Sequence, residues 1–414
     1  MSNELEHPER PPQPLKALTR GGFLGEPAPD HKLPDGPMDP ADARLLIEAE
    51  LFIDGDPEKN LATFVTTWMG KDVTELIGQN LHRNFIDHAE YPQTAEIEQR
   101  CIRMLADLFH APGETMGART QGSSEAIMLG ALAMKWKWRA RQEKAKKDTS
   151  KPNLIFGGDV HVVWEKFCRY FDVEPRIVPL QEDKLVIGPE DVEPHIDENT
   201  VGVAAVLGTT FTGHADDVVG INELLLQVKE KQGLDIPLHV DGASGAFVWP
   251  FLYPDSEWEF RLEQVHSINA SGHKFGLVYP GIGWLVFRSR DSLPDDLVFH
   301  EDYLGKRDAT FTLNFSTGSG DGPGSVLQLH SLRPFGLRVP DQDDAGEHRA
   351  ARRADQEHWT IRAHRLRRAA APRGVQAHRR SGPTTSSTSP PSSRPSEAGW
   401  CPPTTYRRTR RKRN

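Results

Sequence analysis

The sequence predicts an α/β fold with a mostly parallel sheet that is covered by helices on both faces. Two observations carry this prediction. Short apolar runs at 153–156, 201–207, 238–240 and 283–287 are typical of buried strands. Longer segments with apolar residues at helical spacing separate these runs, and such alternation favours a parallel sheet over an antiparallel one. No internal repeat is visible in the chain.

The predicted helices follow in chain order. The first spans 39–51, where an Asp-Pro pair provides a start signal before the apolar positions. The second spans 96–110 and has its apolar residues on one face, namely Ile97, Cys101, Met104, Leu105 and Leu108. Two more helices are predicted over 124–141 and 221–232.

Composition divides the chain into three parts. An extended Pro-rich arm and the first helix occupy 1–58, a large α/β domain occupies 59–318, and an Arg-, Pro- and Ser-rich tail occupies 319–414. We expect this tail to lack a fixed structure. Because its composition changes abruptly, we interpret it as the product of a reading frame that is shifted near 317–321.

The charge of the tail leaves one alternative open. The chain has a formal net charge of −9, yet residues 321–414 carry 18 arginines and 1 lysine against 8 acidic residues. A tail of this kind is typical of proteins that bind nucleic acid. We regard that partner as the weaker interpretation, since a shifted frame explains the same composition.

Several function classes are disfavoured by the sequence. No apolar run approaches the about 18 residues of a membrane span, and the polar N-terminus lacks a secretory signal. The three cysteines have no paired spacing, so we expect neither a disulfide framework nor a metal site. These features predict a cytoplasmic protein.

Three short segments carry residues suited to catalysis. In GSSEA (122–126), a Gly/Ser turn precedes a helix, and such helix starts can bind phosphate. In HVDGAS (239–244), Asp241 follows an apolar strand, at the edge where open α/β sheets bind ligands. In SINASGHKFG (267–276), Lys274 lies among small residues. Read alone, the first and third segments are better explained by an N-cap and a solvated loop lysine, and Asp241 is equally well explained by an N-cap.

Together the three segments indicate one cofactor. Pyridoxal 5′-phosphate needs a phosphate site, a carboxylate for its ring nitrogen and a lysine that forms a Schiff base. The segments supply these groups in that order, with Lys274 33 positions after Asp241. The combination therefore predicts a pyridoxal-phosphate enzyme.

Longer stretches make the chain similar to a known family over about 16–318. DHAEYPQTAEIE (87–98), QGSSEAIMLGALAMKWKWR (121–139), HVDGASGAFVWPF (239–251) and SINASGHKFG resemble the glutamate decarboxylases, a group of pyridoxal-phosphate-dependent decarboxylases. The resemblance implies an aspartate-aminotransferase-like fold, a homodimer or larger homo-oligomer, and L-glutamate as substrate. It also implies release of CO2 and formation of 4-aminobutanoate, a reaction that consumes a proton and serves acid resistance in bacteria.

The resemblance also implies site residues. Lys274 would form the Schiff base and act as the catalytic residue. The other expected cofactor-binding residues are Ser123, Ser124, His161, Thr210, Asp241, Ala243, His273 and Ser316, of which Ser316 would reach the phosphate of a neighbouring subunit. The expected substrate-binding residues are Thr63, Phe64, Asn84 and Asp87.

Two further alternatives concern the activity. The pocket could serve another amino acid, such as an aromatic one, although the NLATF (60–64) and EYPQ (90–93) stretches favour glutamate. Relatives continue into a small C-terminal domain whose arginine binds the substrate carboxylate, and nothing after Gly318 matches it. We therefore expect that domain to be missing or scrambled and assign no arginine, which leaves a catalytically impaired copy as the other alternative.

Overall fold

A seven-stranded sheet organises the computed structural model, which describes residues 36–52, 54–56, 69–114, 116–182, 184–303 and 306–318. The strands are β1 (Met116–Thr120), β2 (Asn153–Gly157), β3 (Glu174–Val178), β4 (Thr200–Val206), β5 (Leu238–Asp241), β6 (Val265–Ser271) and β7 (Gly283–Phe287). Their order across the sheet is β1-β7-β6-β5-β4-β2-β3. Strands β8 (Phe299–Tyr303) and β9 (Lys306–Thr310) form a separate antiparallel hairpin.

The sheet is mostly parallel, as the sequence predicts. Strands β3, β2, β4, β5 and β6 pair in parallel. Strand β7 is antiparallel to both β6 and β1, so it alone runs opposite to the other six strands of this sheet. Five strands that lead into the site (β1, β2, β4, β5 and β6) therefore end at the same edge.

Helices flank the strands in chain order. They are α1 (Pro40–Leu51), α2 (Lys71–Asn80), α3 (Pro92–Leu108), α4 (Ser123–Lys144), α5 (Val163–Tyr170), α6 (Pro189–Val192), α7 (Val218–Gln232) and α8 (Trp249–Leu252). The Asp39 side chain accepts a hydrogen bond from the Ala41 amide at 2.8 Å, which confirms the predicted start of α1. Helix α7 ends at Gly233 in the left-handed region, a common way to terminate a helix.

The core lies on both faces of the sheet because strand side chains alternate. On β2, Leu154 and Phe156 pack in a cluster with Trp138 of α4 and Trp164 of α5. The intervening Ile155 packs on the opposite face, in the cluster that contains Leu225 of α7. Every residue of β4 is buried, as expected for a parallel strand covered twice.

The buried face of helix α3 differs from the predicted face. Cys101 and Leu105 are buried as expected, but Ile97, Met104 and Leu108 are only half-buried. Ile102 and the charged Glu98 are buried instead. The reason lies in β1, whose Arg119 forms an ion pair with Glu98 at 3.3 Å.

The predicted fold class is thus confirmed for the described residues, and none of their helices has the length and apolar character needed to cross a bilayer. The division of the chain at residues 58 and 318 stays a prediction. The tail over 319–414 and most of the N-terminal arm lie outside the described residues.

Candidate functional site

A cavity of about 420 Å³ opens at the edge where five strands end, and we call it the strand-end cavity. Most wall residues lie at or just after the carboxyl end of a strand, as is usual for ligand sites in open α/β sheets. Gln121 and Ser123 follow β1, Asp159 follows β2, and Thr210 follows β4. The lining is Gln121, Gly122, Ser123, Ser124, Ile127, Asp159, His161, Val206, Gly208, Thr210, Asp241, Ala243, Ser244, Ser271, His273 and Lys274.

The start of α4 forms one end of this cavity. Gly122 has a φ of 125°, a conformation that favours glycine, and it turns the chain from β1 into the helix. The buried Ser123 hydroxyl lies 2.7 Å from the Ser271 hydroxyl, which ties the helix start to the end of β6. Free amide groups and the dipole of a 22-residue helix favour an anion here.

Lys274 reaches the cavity from the turn after β6. Its side chain is half-buried, and its Nζ lies 3.3 Å from the Ser244 hydroxyl. Burial lowers the pKa of Lys274 below the ordinary value for lysine, and the nearby Asp241 carboxylate opposes that change. A lysine with a lowered pKa is more often neutral, which makes its nitrogen a better nucleophile.

Asp241 lies at the end of β5, where three donors orient its carboxylate. Oδ1 accepts hydrogen bonds from the Asn269 side chain at 3.0 Å and the Ala243 amide at 3.2 Å. Oδ2 accepts from Trp164 Nε1 at 3.1 Å. Asp241 as a whole is 4 % exposed, and it lines the cavity. Its carboxylate therefore places a negative charge of fixed orientation at the cavity wall.

Two histidines complete the wall. Partial burial lowers the pKa of both His161 and His273, and Lys274 adds to the effect on each. His161 is exposed at the cavity mouth, and its Nδ1 accepts from the Val163 amide at 3.3 Å. Both imidazoles are therefore mostly neutral near pH 7, and a neutral imidazole can stack on a ring or donate its one N–H to a phosphate.

The lining fits pyridoxal phosphate. The volume lies in the range of about 300–1,000 Å³ that small-molecule sites occupy. Among the described residues, His273 Nδ1 and Asp159 Oδ1 are buried without a hydrogen-bond partner, so a ligand can satisfy them. An anion site at α4, a nucleophile at Lys274 and a carboxylate at Asp241 match the phosphate, the aldehyde and the ring nitrogen of the cofactor.

The predicted residues fall into two groups. All the expected cofactor residues except Ser316 line the strand-end cavity. Ser316 instead accepts a hydrogen bond from Asn84 Nδ2 at 3.2 Å, and neither residue lines that cavity. Asp87 accepts from the Glu90 amide at 2.9 Å, while Thr63 and Phe64 lie outside the described residues.

The segments that carry Asn84 and Ser316 are joined by a backbone bridge between Asn84 and Gly318 and by Arg119, a member of a buried ion pair. Arg119 contacts Glu98 at 3.3 Å and donates to the Thr317 hydroxyl at 2.8 Å. Its guanidinium also lies 4.6 Å from the centre of the Phe85 ring. A second cavity, of about 140 Å³, lies beside these residues.

Sequence reasoning missed several residues of the site. Ser244 and Ser271 occur in the motifs that were singled out, yet nothing distinguished them from space-making small residues. Asp159 follows a predicted strand, so its position at a strand end was a usable signal. Trp164 and Asn269 reach Asp241 from other elements, and only their contacts reveal them.

Comparison with known proteins agrees with this geometry. Residues 34–322 match the pyridoxal-dependent decarboxylase conserved domain. The chain is 50% identical over 301 residues to a glutamate decarboxylase of Solanum lycopersicum, which covers 72% of this chain and 60% of that protein. It is 49% identical over 294 residues to a glutamate decarboxylase of Aliivibrio fischeri, covering 70% and 63% respectively.

A solved structure shows the same likeness. The glutamate decarboxylase of Lactobacillus brevis superimposes with a TM-score of 0.72 at 38% identity, covering 79% of this chain and 74% of that one. The chain spans about three fifths of the length of the curated relatives it matches. With a domain match over most of its length and a cavity that fits the cofactor, this chain belongs to the pyridoxal-dependent decarboxylase family.

Proposed function

We propose that this protein is a glutamate decarboxylase, a carbon–carbon lyase that converts L-glutamate to 4-aminobutanoate and CO2 with pyridoxal phosphate. One observation carries the use of the cofactor: Lys274 and Asp241 line a single cavity at the strand ends, where the Asp241 charge acts on Lys274. The decarboxylation is supported by the match to the pyridoxal-dependent decarboxylase domain. The choice of glutamate is supported by the identity of about half the aligned residues to glutamate decarboxylases.

Pyridoxal phosphate, when bound, supplies an electron sink for the bond cleavage. The residues of this chain would hold and tune it. Asp241 would accept a hydrogen bond from the ring N–H and keep the proton there, because an opposite charge close by favours the charged form. His273, Ser123 and Ser124 would hold the phosphate at the start of α4, and His161 and Ala243 would pack against the ring.

Lys274 provides the attacking amine. Its lowered pKa leaves more of Nζ unprotonated at neutral pH, and the Ser244 hydroxyl at 3.3 Å orients it. Lys274 would also be the group of this chain that returns a proton to the substrate carbon. Thr210, at the cavity mouth, completes the contacts near the cofactor.

A second copy of the chain would complete the substrate pocket. Asn84 and Ser316 contact each other but not the strand-end cavity, which is what a pair serving a partner's site requires. We propose a homodimer or larger homo-oligomer in which these two residues and Asp87 approach the partner's cavity. Thr63 and Phe64 would belong to the same substrate pocket.

The biological setting is part of the same proposal. Decarboxylation consumes one proton for each molecule of product, so the reaction can serve acid resistance. The cytoplasmic location is supported by the cysteines, since both described thiols, Cys101 and Cys168, are buried and unpaired. Nucleic acid is not a proposed partner.

The cofactor site is tested by absorption spectroscopy. Purified full-length protein incubated with pyridoxal phosphate should show the visible band of the lysine-bound cofactor, and Lys274→Ala should abolish it. Lys166→Ala, which changes an exposed lysine of α5, is the matched control and should keep the band. A band that survives Lys274→Ala would contradict the assignment.

The substrate is tested by CO2 release from labelled amino acids. Release from glutamate and not from tryptophan, tyrosine or methionine is the expected result. Release of CO2 only from an aromatic amino acid would show that the substrate is an aromatic amino acid and not glutamate. Cofactor binding without CO2 from any amino acid would identify a catalytically impaired copy.

A further inference from the structure

Behind Asp241, four polar side chains form a buried ladder on two adjacent parallel strands. His239 and Asp241 are two positions apart on β5, and Ser267 and Asn269 are their register partners on β6. Because strand side chains alternate, all four project from the same face of the sheet. His239, Ser267 and Asn269 are each at most 1 % exposed, and none lines the strand-end cavity.

Hydrogen bonds connect the ladder from end to end. The Ser267 hydroxyl lies 2.7 Å from His239 Nδ1, and His239 Nε2 lies 2.8 Å from Asn269 Oδ1. Asn269 Nδ2 in turn donates to Asp241 Oδ1 at 3.0 Å. Every step joins two strands whose spacing is set by the backbone ladder.

For a neutral imidazole, only one arrangement of protons satisfies these contacts. The Asp241 carboxylate is an acceptor, so the amide of Asn269 must direct its NH2 group toward it. Asn269 Oδ1 then faces His239 Nε2, which must carry a hydrogen. His239 Nδ1 is left as the acceptor for the Ser267 hydroxyl. Complete burial holds the pKa of His239 below its ordinary value, so the neutral Nε2–H tautomer is the occupied form.

The packing around His239 leaves its ring little freedom. A Cβ atom at Gly130 of α4 would lie 2.8 Å from His239 Cε1 and Nδ1, so glycine there allows the helix to approach the ring. The Trp164 ring packs edge-on at 5.3 Å between centroids, and the same tryptophan donates to Asp241 Oδ2. The two oxygens of Asp241 thus accept hydrogen bonds from side chains on two different elements, α5 and β6.

We propose that His239, acting through Asn269, is a positioning residue that holds the Asp241 carboxylate toward the ring nitrogen of the cofactor. Asp241 can rotate about its side-chain bonds, and a rotated carboxylate would accept less well from the ring N–H. The ladder removes that freedom while leaving a lone pair of Asp241 available to the cavity. This inference rests on the proposed function, since it needs a cofactor whose ring nitrogen Asp241 binds.

The test compares two cofactors in two variants of the full chain. Dissociation constants are measured by spectroscopic titration for pyridoxal phosphate and for its deaza analogue, which has carbon in place of the ring nitrogen. His239→Leu removes the ladder, whereas His239→Gln keeps an amide nitrogen near the position of Nε2. Ser267→Ala is the control, because it removes only the end of the ladder that is farthest from Asp241.

The expected result is a change in cofactor discrimination. Wild type should prefer pyridoxal phosphate to the deaza analogue, and His239→Leu should reduce that preference about 10-fold, the effect of one hydrogen bond to a charged group. His239→Gln should restore most of it. A general loss of packing would weaken both cofactors alike and leave the preference unchanged, and that result would overturn the inference.

Two measurements keep the test decisive. If His239→Leu does not fold, Asn269→Asp replaces the donor with an acceptor at nearly constant size and should reduce the preference in the same way. In 15N-histidine-labelled wild type, His239, identified by its loss in His239→Gln, should show the Nε2–H tautomer, and an Nδ1–H tautomer would overturn the inference. Failure of wild type to bind pyridoxal phosphate would reject the proposed function itself, and this inference with it.

Discussion

The strand-end cavity and the Asn84–Ser316 contact are both parts of the expected site, but they are built differently. The cavity is lined mainly by residues at or just after the ends of parallel strands, so the sheet itself brings them together. The Asn84–Ser316 contact joins a turn after α2 to the segment after β9, which are more than 200 positions apart. It is held by one short backbone bridge, between Asn84 and Gly318, and by the Arg119 contacts of the buried Glu98–Arg119 pair, rather than by a continuous sheet.

This difference teaches that the two regions should respond to different changes. Chemistry in the cavity depends on the identity of single side chains, because the sheet fixes where they are. The position of Asn84 and Ser316 depends on a single backbone bridge and on a few side-chain hydrogen bonds, one of them from Arg119. Three predictions probe this comparison, and the largest effect comes first.

Asp241→Asn should give the largest effect. The amide has nearly the same size but carries no negative charge, so it no longer stabilises a proton on the ring nitrogen. We expect a fall in kcat of about 10²–10³-fold, the order found when one preorganised electrostatic contact is removed. Steady-state assays measure it, with Asp107→Asn on the exposed side of α3 as control. Retention of full kcat would contradict the role of Asp241.

Glu98→Gln should change how stability depends on pH. Burial raises the pKa of Glu98 from 4.5 to about 7, despite the opposing charge of Arg119. An acid whose pKa is raised by folding stabilises the fold below its unfolded pKa, and this contribution is lost as pH rises through the folded value. Wild type should therefore lose about 3 kcal/mol of unfolding free energy between about pH 4.5 and about pH 7.

Urea denaturation across this pH range measures the effect. Glu98→Gln should lack this loss, because its side chain does not titrate. Glu75→Gln alters an exposed surface pair and should keep the wild-type slope, since such pairs contribute little. Equal slopes in wild type and Glu98→Gln would show that the ion pair stays charged at both ends of the range.

Asn84→Ala should give the smallest effect. It removes the contact with Ser316 but leaves every residue of the strand-end cavity in place. We expect KM for glutamate to rise about 5-fold, as for the loss of one ordinary hydrogen bond, with the cofactor absorption band unchanged. Gln93→Ala, at an exposed position, is the control. Loss of the cofactor band would show that the Asn84–Ser316 contact also affects cofactor binding in the strand-end cavity.

Much of the fold and of the cavity could be predicted because both depend on local patterns. Strands β2, β4, β5 and β7 begin and end within about one residue of their apolar runs, since burial on both faces selects such runs. Ser123, Asp241 and Lys274 were identifiable because each adjoins a strand or helix boundary. The buried face of α3 was predicted incompletely, because Glu98 is buried only by virtue of its partner on another element.

The sequence by itself determined the α/β class, the order of the cofactor motifs and the family resemblance. Each of these is written in residue types and spacing along the chain. Only the tertiary structure decided that β7 runs antiparallel, that Asn84 contacts Ser316, and that His239 reaches Asp241 through Asn269. Such contacts join residues distant in sequence, and the pairing of strands, not the chain order, decides which polar groups meet.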